Sequence, residues 1–300
     1  NDDKMDQVMH MASVETGSFN MAKLARVGEL VEAVVEGGVS LHDAYEMLDE
    51  IEELSNPWGP AAKAVSFMFI GVGFSGNLLD ICISGILALI VYVNVYIAHK
   101  FEGRLFELLP FSSAYAIGII AATLKVFMPE INLPVVILSA VIPIIPGYTV
   151  SAGIVEMVSN HVVSGSANLI SGVIYLLKQF FGAWFGIATI GILLPSSGVI
   201  NAPETESLGV WLFLPLLFIG LGIAYQSLIK DFPWVMACCL VSYIAVRFGN
   251  SFEIEYLGTL LGAIVATLFG NLWARKFNRP TSIVLVPAIT VMVSGSVGFQ

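Results

Sequence analysis

Between residues 60 and 293 the chain is a succession of apolar blocks, several of about 18 residues or more, and that pattern limits its folding more than any motif does. A helix needs roughly 20 predominantly apolar residues to cross a hydrocarbon core about 30 Å thick. The blocks show little apolar/polar alternation, so they read as helices and not as barrel strands. Charged residues make up only 12% of the sequence and mean hydropathy is +0.85. A soluble domain carries about 25% charged residues, so a water-soluble enzyme is excluded on composition.

Nine spans are predicted: Pro60 to Leu79, Ile81 to Ala98, Phe106 to Leu124, Pro134 to Ile145, Leu169 to Leu194, Val210 to Tyr225, Pro233 to Val246, Tyr256 to Trp273 and Thr281 to Val293. The fourth and ninth are short, and each runs into a break of small residues. The expected fold class is all-α: a polytopic helical membrane protein.

The formal net charge of -10 is confined to one end. Residues 1–55 hold 13 Asp and Glu against Lys4, Lys23 and Arg26, whereas the remainder is neutral overall. An acidic head, residues 1–58, therefore precedes the membrane body. Leu24, Val27, Val31 and Val34 mark one short helix that Gly37 and Gly38 end; Ser40 begins a second, with Asp43 in a box-like capping position and a Leu41, Tyr45, Leu48, Ile51 stripe. Placing this hairpin in the cytoplasm puts Lys100, Arg104, Lys230, Arg275, Lys276 and Arg279 on the same side and leaves Lys125 and Arg247 outside, as the positive-inside rule requires. The plasma (inner) membrane is the expected location. An acidic head and a neutral body give nucleic acid nothing to bind.

The body contains an internal repeat. Phe69-Ile70-Gly71-Val72-Gly73 recurs as Phe218-Ile219-Gly220-Leu221-Gly222, Glu107 is matched by Glu255, and Pro146-Gly147-Tyr148 falls on Ser294-Gly295-Ser296. Units of five spans, residues 59–205 and 206–300, would be inverted relative to one another, the plan of many secondary transporters. On that plan a tenth helix is expected beyond Gln300.

Inverted-repeat transporters bind solutes where spanning helices break, because unwound backbone exposes amide and carbonyl groups. The predicted substrate-binding residues are therefore Pro146, Gly147, Thr149 and Ser151 in the first break, and Ser294, Gly295 and Ser296 in its counterpart. Hydroxyls with free amides suit a carboxylate or an amino-acid zwitterion. The semi-polar stretch Ser151 to Asn168 reads as a re-entrant or interfacial helix or as a solvated loop; in it Glu156 and Asn160 lie one turn apart, with Ser159, His161, Ser164 and Ser166 nearby. Glu156, the mid-span Lys178 and Asp80 are the candidates for ion coupling. No phosphate-binding loop, zinc-hydrolase motif or nucleophile elbow is present, so transport driven by an ion gradient is expected and catalysis is not. Cys82, Cys238 and Cys239 lie in apolar runs and the four His are scattered, so neither a disulfide, a cofactor nor a metal site is expected. Homo-oligomerisation is left open.

The head motif Gly38-Val39-Ser40-Leu41-His42-Asp43-Ala44 with Leu48, the Gly76 to Asp80 segment, Pro146-Gly147 leading to Glu156, Ser164-Gly165 and the Gly270-Asn271 to Pro280 stretch together resemble the threonine/serine exporter family. That family includes the fungal pheromone-regulated membrane proteins. The resemblance covers about Phe19 to Gln300 and rests on the order of these motifs. It implies a cytosolic helical head, ten transmembrane helices in two related domains, and export of threonine and serine driven by the proton motive force. Relatives that split the two domains between subunits are linked to succinate export, which keeps dicarboxylates open as cargo. Pro-Gly-Ser is frequent in the family's second half where this chain has Ser294-Gly295-Ser296.

Overall fold

A computed structural model describes residues 20–54, 57–73, 77–100, 104–194, 209–252, 254 and 256–296. Every regular element among the described residues is helical: α1 (Met21–Val35), α2 (Leu41–Glu53), α3 (Pro60–Val72), α4 (Leu78–Lys100), α5 (Arg104–Phe127), α6 (Leu133–Val141) with a 3-10 turn at Ile142–Ile144, α7 (Gly147–Val158), α8 (Val162–Leu193), α9 (Gly209–Ala224), α10 (Phe232–Asn250), α11 (Leu257–Phe277) and α12 (Ser282–Ser296). Among these residues α4, α5, α8, α10 and α11 are long and apolar enough to cross a bilayer. The α6–α7 pair, bent by 63°, has the apolar length of a broken span or a re-entrant loop, and the shorter apolar α3, α9 and α12 stand where three further spans are predicted. The protein is a polytopic helical membrane protein.

In the head, Gly37 at φ +76° lets α1 end in a Schellman turn, with the Gly38 amide donating to the Ala33 carbonyl (2.9 Å) and the Gly37 amide to Val34 (3.0 Å). Ser40 caps α2 by accepting from the Asp43 amide at 3.2 Å, but the Asp43 carboxylate accepts from the Ser40 hydroxyl and not from its amide, so the reciprocal box is not formed. The expected apolar face of α1 is displaced: Met21, Ala25 and Leu30 are buried, whereas Val31 is exposed. The reason is that α1 packs on the membrane body as well as on α2. Met21 and Ala25 join one core with Leu217, Phe218, Leu221, Val284 and Met292, while Tyr45 and Leu48 of the α2 stripe face outward.

Three other expectations are corrected. The first span does not run to Leu79: α3 ends at Val72, and α4 starts at Leu78, which puts Asp80 in the first turn of α4 and not in a loop. The stretch from Ser151 to Asn168 is no loop, since α7 and the first turns of α8 form a helical hairpin through it. The second break is not formed in the backbone either. The helix α12 continues through Ser294, Gly295 and Ser296, because serine keeps the amide that Pro143 and Pro146 lack in the first half. The side chains of those serines lie outside the described residues.

The helices are joined by close backbone approaches, as expected where lipid supplies no hydrophobic drive between helices. On α8, Gly182 and Gly186 abut the carbonyls of Phe111 and Tyr115 on α5; a Cβ on Gly186 would stand 2.5 Å from the Tyr115 oxygen. The recurring segments of α3 and α9 also meet. Gly73 lies on Leu217 and Gly220 lies on Phe69 and Ser66, so the two helices cross antiparallel near Ile70 and Ile219. Pro60 and Gly209, like Leu133 and Ser282, begin matching helices 149 residues apart.

Candidate functional site

The break between α6 and α7 has a local cause. Pro143 sits in the 3-10 turn and Pro146 at the cap of α7, so two amides are missing within four residues. What remains is paired locally: the Ile145 amide donates to Ile142 (3.0 Å), the Gly147 amide to Ile145 (2.8 Å), and Gln179 Nε2 of α8 donates to the Ile144 carbonyl at 3.3 Å. This segment forms one wall of a cavity of about 570 Å³, within the usual range of about 300–1,000 Å³ for small-molecule sites. Its other walls are α3, α4, α8, the end of α9 and Thr290 of α12, so both halves of the chain contribute.

The polar lining is specific in sign. Lys63 supplies an ammonium and His99 an imidazole, and no Asp or Glu lines the cavity among the described residues. The Lys63 ammonium has no hydrogen-bond or ion-pair partner among those residues, although Lys63 is only partly exposed. Tyr92 donates to the Pro60 carbonyl at 2.8 Å, which fixes the start of α3 against α4 and so holds Lys63 at the cavity edge. Across from it, Tyr225 and Thr290 pair through their hydroxyls at 2.7 Å, and Thr290 in turn donates to the Val286 carbonyl at 3.1 Å. Thr149, Ser171 and Tyr175 add further hydroxyls.

Of the residues predicted from sequence, Pro146 and Thr149 line this cavity, and Gly147 lies between them in the chain. Ser151 is on α7 outside the lining; Ser294 to Ser296 follow Thr290 on α12. The three coupling candidates also lie outside it. Glu156 accepts from Asn168 Nδ2 at 3.0 Å, an α7–α8 tie. Lys178 donates to the Glu107 carbonyl of α5 at 3.1 Å. Asp80 is buried and accepts from the Asn132 amide at 3.1 Å, while Lys125 donates to the Pro129 and Ile131 carbonyls, so this end of α4, α5 and α6 is tied together far from the cavity. Lys63, His99, Tyr225 and Thr290 are the residues that sequence reasoning missed. Lys63 had a signal: it is the only charged residue between Pro57 and Leu79.

The head closes over the same end of the body. The Met21 and Ala22 amides, orphan donors at the start of α1, donate to the carbonyls of Tyr225 (3.0 Å) and Gln226 (3.1 Å) just past α9. Trp58 Nε1, in the linker before α3, donates to the Ser227 carbonyl at 3.0 Å, and its ring lies 5.8 Å from that of Phe232. Arg279 Nη1 reaches both Asp231 oxygens at 2.7 and 2.6 Å while its Nη2 pairs with Glu29, which also binds Lys230 at 3.0 Å. Burial works against the Glu29 charge, but the Lys230 hydrogen bond and the charges of Lys230, Arg279 and Arg26 outweigh it and hold the carboxyl below its ordinary value. Head, Lys230 and Arg279 therefore meet at one end of the helix bundle.

Among known proteins, residues 1–190 match the family model described as "Putative threonine/serine exporter". Over 97% of its length the chain is 23% identical to the pheromone-regulated membrane protein 10 of Pichia sorbitophila, covering 31% of that protein. It is 24% identical to the Candida albicans protein of the same name over 96% of the chain and 27% of the relative. The Saccharomyces cerevisiae counterpart is likewise 24% identical, with 95% of the chain and 77% of the relative covered. The chain thus spans about a third of the length of the first of these relatives. No solved structure matches it. With a family match over more than half its length, and with the apolar helices to support a membrane-embedded fold, the chain belongs to the threonine/serine exporter family.

Proposed function

We propose that the chain is a secondary transporter that exports a small carboxylate-bearing solute, threonine or serine, at the expense of the proton motive force. The observation that carries this reading is the cavity between the two halves, with a Lys63 ammonium that has no partner, and no lining carboxylate, among the described residues. Lys63 binds the cargo carboxylate, and the hydroxyls of Thr149, Ser171 and Thr290 meet its polar side chain. The coupling proton is carried by Glu156, two helical turns beyond Thr149 on α7. Lys178 and Asp80 serve as anchors, in keeping with their backbone partners.

Alternating access follows from an inverted repeat. The antiparallel crossing of α3 and α9 at the recurring Phe-Ile-Gly segments supports it, as does the common offset of 149 residues. The head faces the cytoplasm at the plasma membrane, because the basic residues share its side.

The test is uptake into proteoliposomes of labelled threonine, serine and succinate with and without a pH gradient. Gradient-dependent threonine or serine flux that Lys63→Met lowers at least tenfold is expected, with Lys63→Arg retaining part of it. Glu156→Gln should abolish pH-driven flux yet spare counterflow. Undiminished flux in Lys63→Met rejects the binding assignment. A second reading, dicarboxylate export, is favoured by His99 and Lys63 lining the same cavity without acids among the described residues; succinate flux alone would select it.

A further inference from the structure

The transport reading leaves the ionic cluster beneath the head unused. Asp231 and Arg279 are almost fully buried there, with side chains 5% and 11% exposed. They stand on the loops that lead into α10 and α12, and Glu29 joins them from α1. A buried cluster of this kind adds little net stability over an apolar contact, but breaking one member is costly, which suits a part with two discrete positions.

What the cluster holds is the end wall of the cavity. The Tyr225 and Gln226 residues that accept from the Met21 and Ala22 amides are themselves cavity-lining, and Tyr225 is the partner of Thr290. Trp58, which the linker carries between head and α3, also lines the cavity and bridges to the second half through the Ser227 carbonyl. Leu24 of α1, and Ile145 and Tyr148 of the broken segment, each pack against a core cluster built mostly of second-half residues. The Met21, Ala22 and Trp58 hydrogen bonds thus join the head and its linker to the second half at the head-side end of the cavity.

We propose that the head and its Trp58 linker are the head-side gate of the transport cavity, and that Arg279 is the positioning residue that latches it shut through Glu29 and Asp231. The gate must lift for cargo to pass between the cavity and the head-side solution. It acts through Tyr225 and Trp58 and does not touch the cargo. This inference rests on the cavity being the transport site.

The experiment uses the full chain in proteoliposomes, with Cys82 replaced by Ser, Val95→Cys as a reporter in the cavity wall, Glu29→Cys with Lys230→Cys as a lockable pair, and the reporter without the pair carried through every step as the control for cross-linker that caps the reporter itself. A short bifunctional thiosulfonate closes the pair, and reductant opens it again, so each preparation is its own control for folding. The readouts are the rate at which a membrane-impermeant thiol reagent, applied from the head side after locking, modifies the reporter, and cargo flux. In the locked state labelling should fall at least tenfold and flux should stop, both returning on reduction. In the background without the lockable pair, Arg279→Lys and Glu29→Gln should raise labelling about two- to tenfold. Equal labelling in the locked and unlocked states overturns the gate. If locking blocks labelling while Lys63→Met leaves flux intact, the gate stands and the carboxylate assignment falls, so the two readings fail separately.

Discussion

Replacing Arg279 by Leu tests how the head is held, and the structure sets the size of the effect. The Asp231 side chain is only 5% exposed and has both oxygens on one guanidinium nitrogen. Removing the guanidinium strands a buried carboxylate, which costs about 3–5 kcal/mol. The Glu29–Lys230 pair is 38% and 54% exposed, so losing it through Lys230→Leu costs at most about 1 kcal/mol. At about 2–4 °C per kcal/mol, Arg279→Leu should lower the apparent melting temperature in detergent by on the order of 10 °C, and Lys230→Leu by less than about 4 °C. The double variant Arg279→Leu/Asp231→Leu should recover more than half of the loss, since apolar replacement of a buried pair is close to neutral. If the head lifts before the body melts, the loss appears as faster proteolysis between Leu54 and Pro60. The reasoning is refuted if neither reading separates Arg279→Leu from Lys230→Leu, or if the double variant is no better than the single.

Single cysteines at positions 100 and 276 should both react with an impermeant reagent from the head side only, and labelling from opposite sides would refute the arrangement of spans. Because the Glu29 carboxyl is held below its ordinary value, its share of head docking is complete above the usual carboxylate range near pH 4.3 and is lost as pH falls through the lowered value. Glu29→Gln should remove that part of the acid sensitivity, measured as donor–acceptor fluorescence transfer between head and body. Gly186→Leu should abolish recovery of folded monodisperse protein, since its Cβ alone would meet the Tyr115 oxygen at 2.5 Å, whereas Gly191→Leu, with nothing within 4 Å, should be tolerated.

The positions of the spans were legible because a bilayer reads segment hydropathy and little else. Boundaries were not: Gly73, Gly76 and Asn77 are helix-ending residues, but Phe74, Leu78 and Leu79 between and after them let the stretch be read as part of the first span. The face of α1 was misread because a helix's buried side is set by all its partners, and α1 packs on the membrane body as well as on α2. For the site, Pro146 and Thr149 could be found from proline chemistry alone. Lys63, His99, Tyr225 and Thr290 could not be grouped, since they are spread along most of the chain and converge only when the halves pack. The head latch is further from reach still, as Glu29 and Arg279 are 250 residues apart.

The repeat and its asymmetry bear on the same point. The α3/α9 and α6/α12 pairs begin 149 residues apart, yet the first half breaks at Pro143 and Pro146 while α12 continues through the equivalent positions. A two-fold related pair of sites would need both breaks. With one break, the backbone irregularity, the hydroxyl-bearing turn and the cation Lys63 all belong to the first half, and the second half supplies the smooth wall of Leu221, Tyr225 and Thr290. The head binds to that second wall through α1 and continues covalently into the first through Trp58 and α3. On the proposed inverted-repeat plan it spans the seam along which the two halves would rock, which is where a part that controls access has mechanical leverage on both.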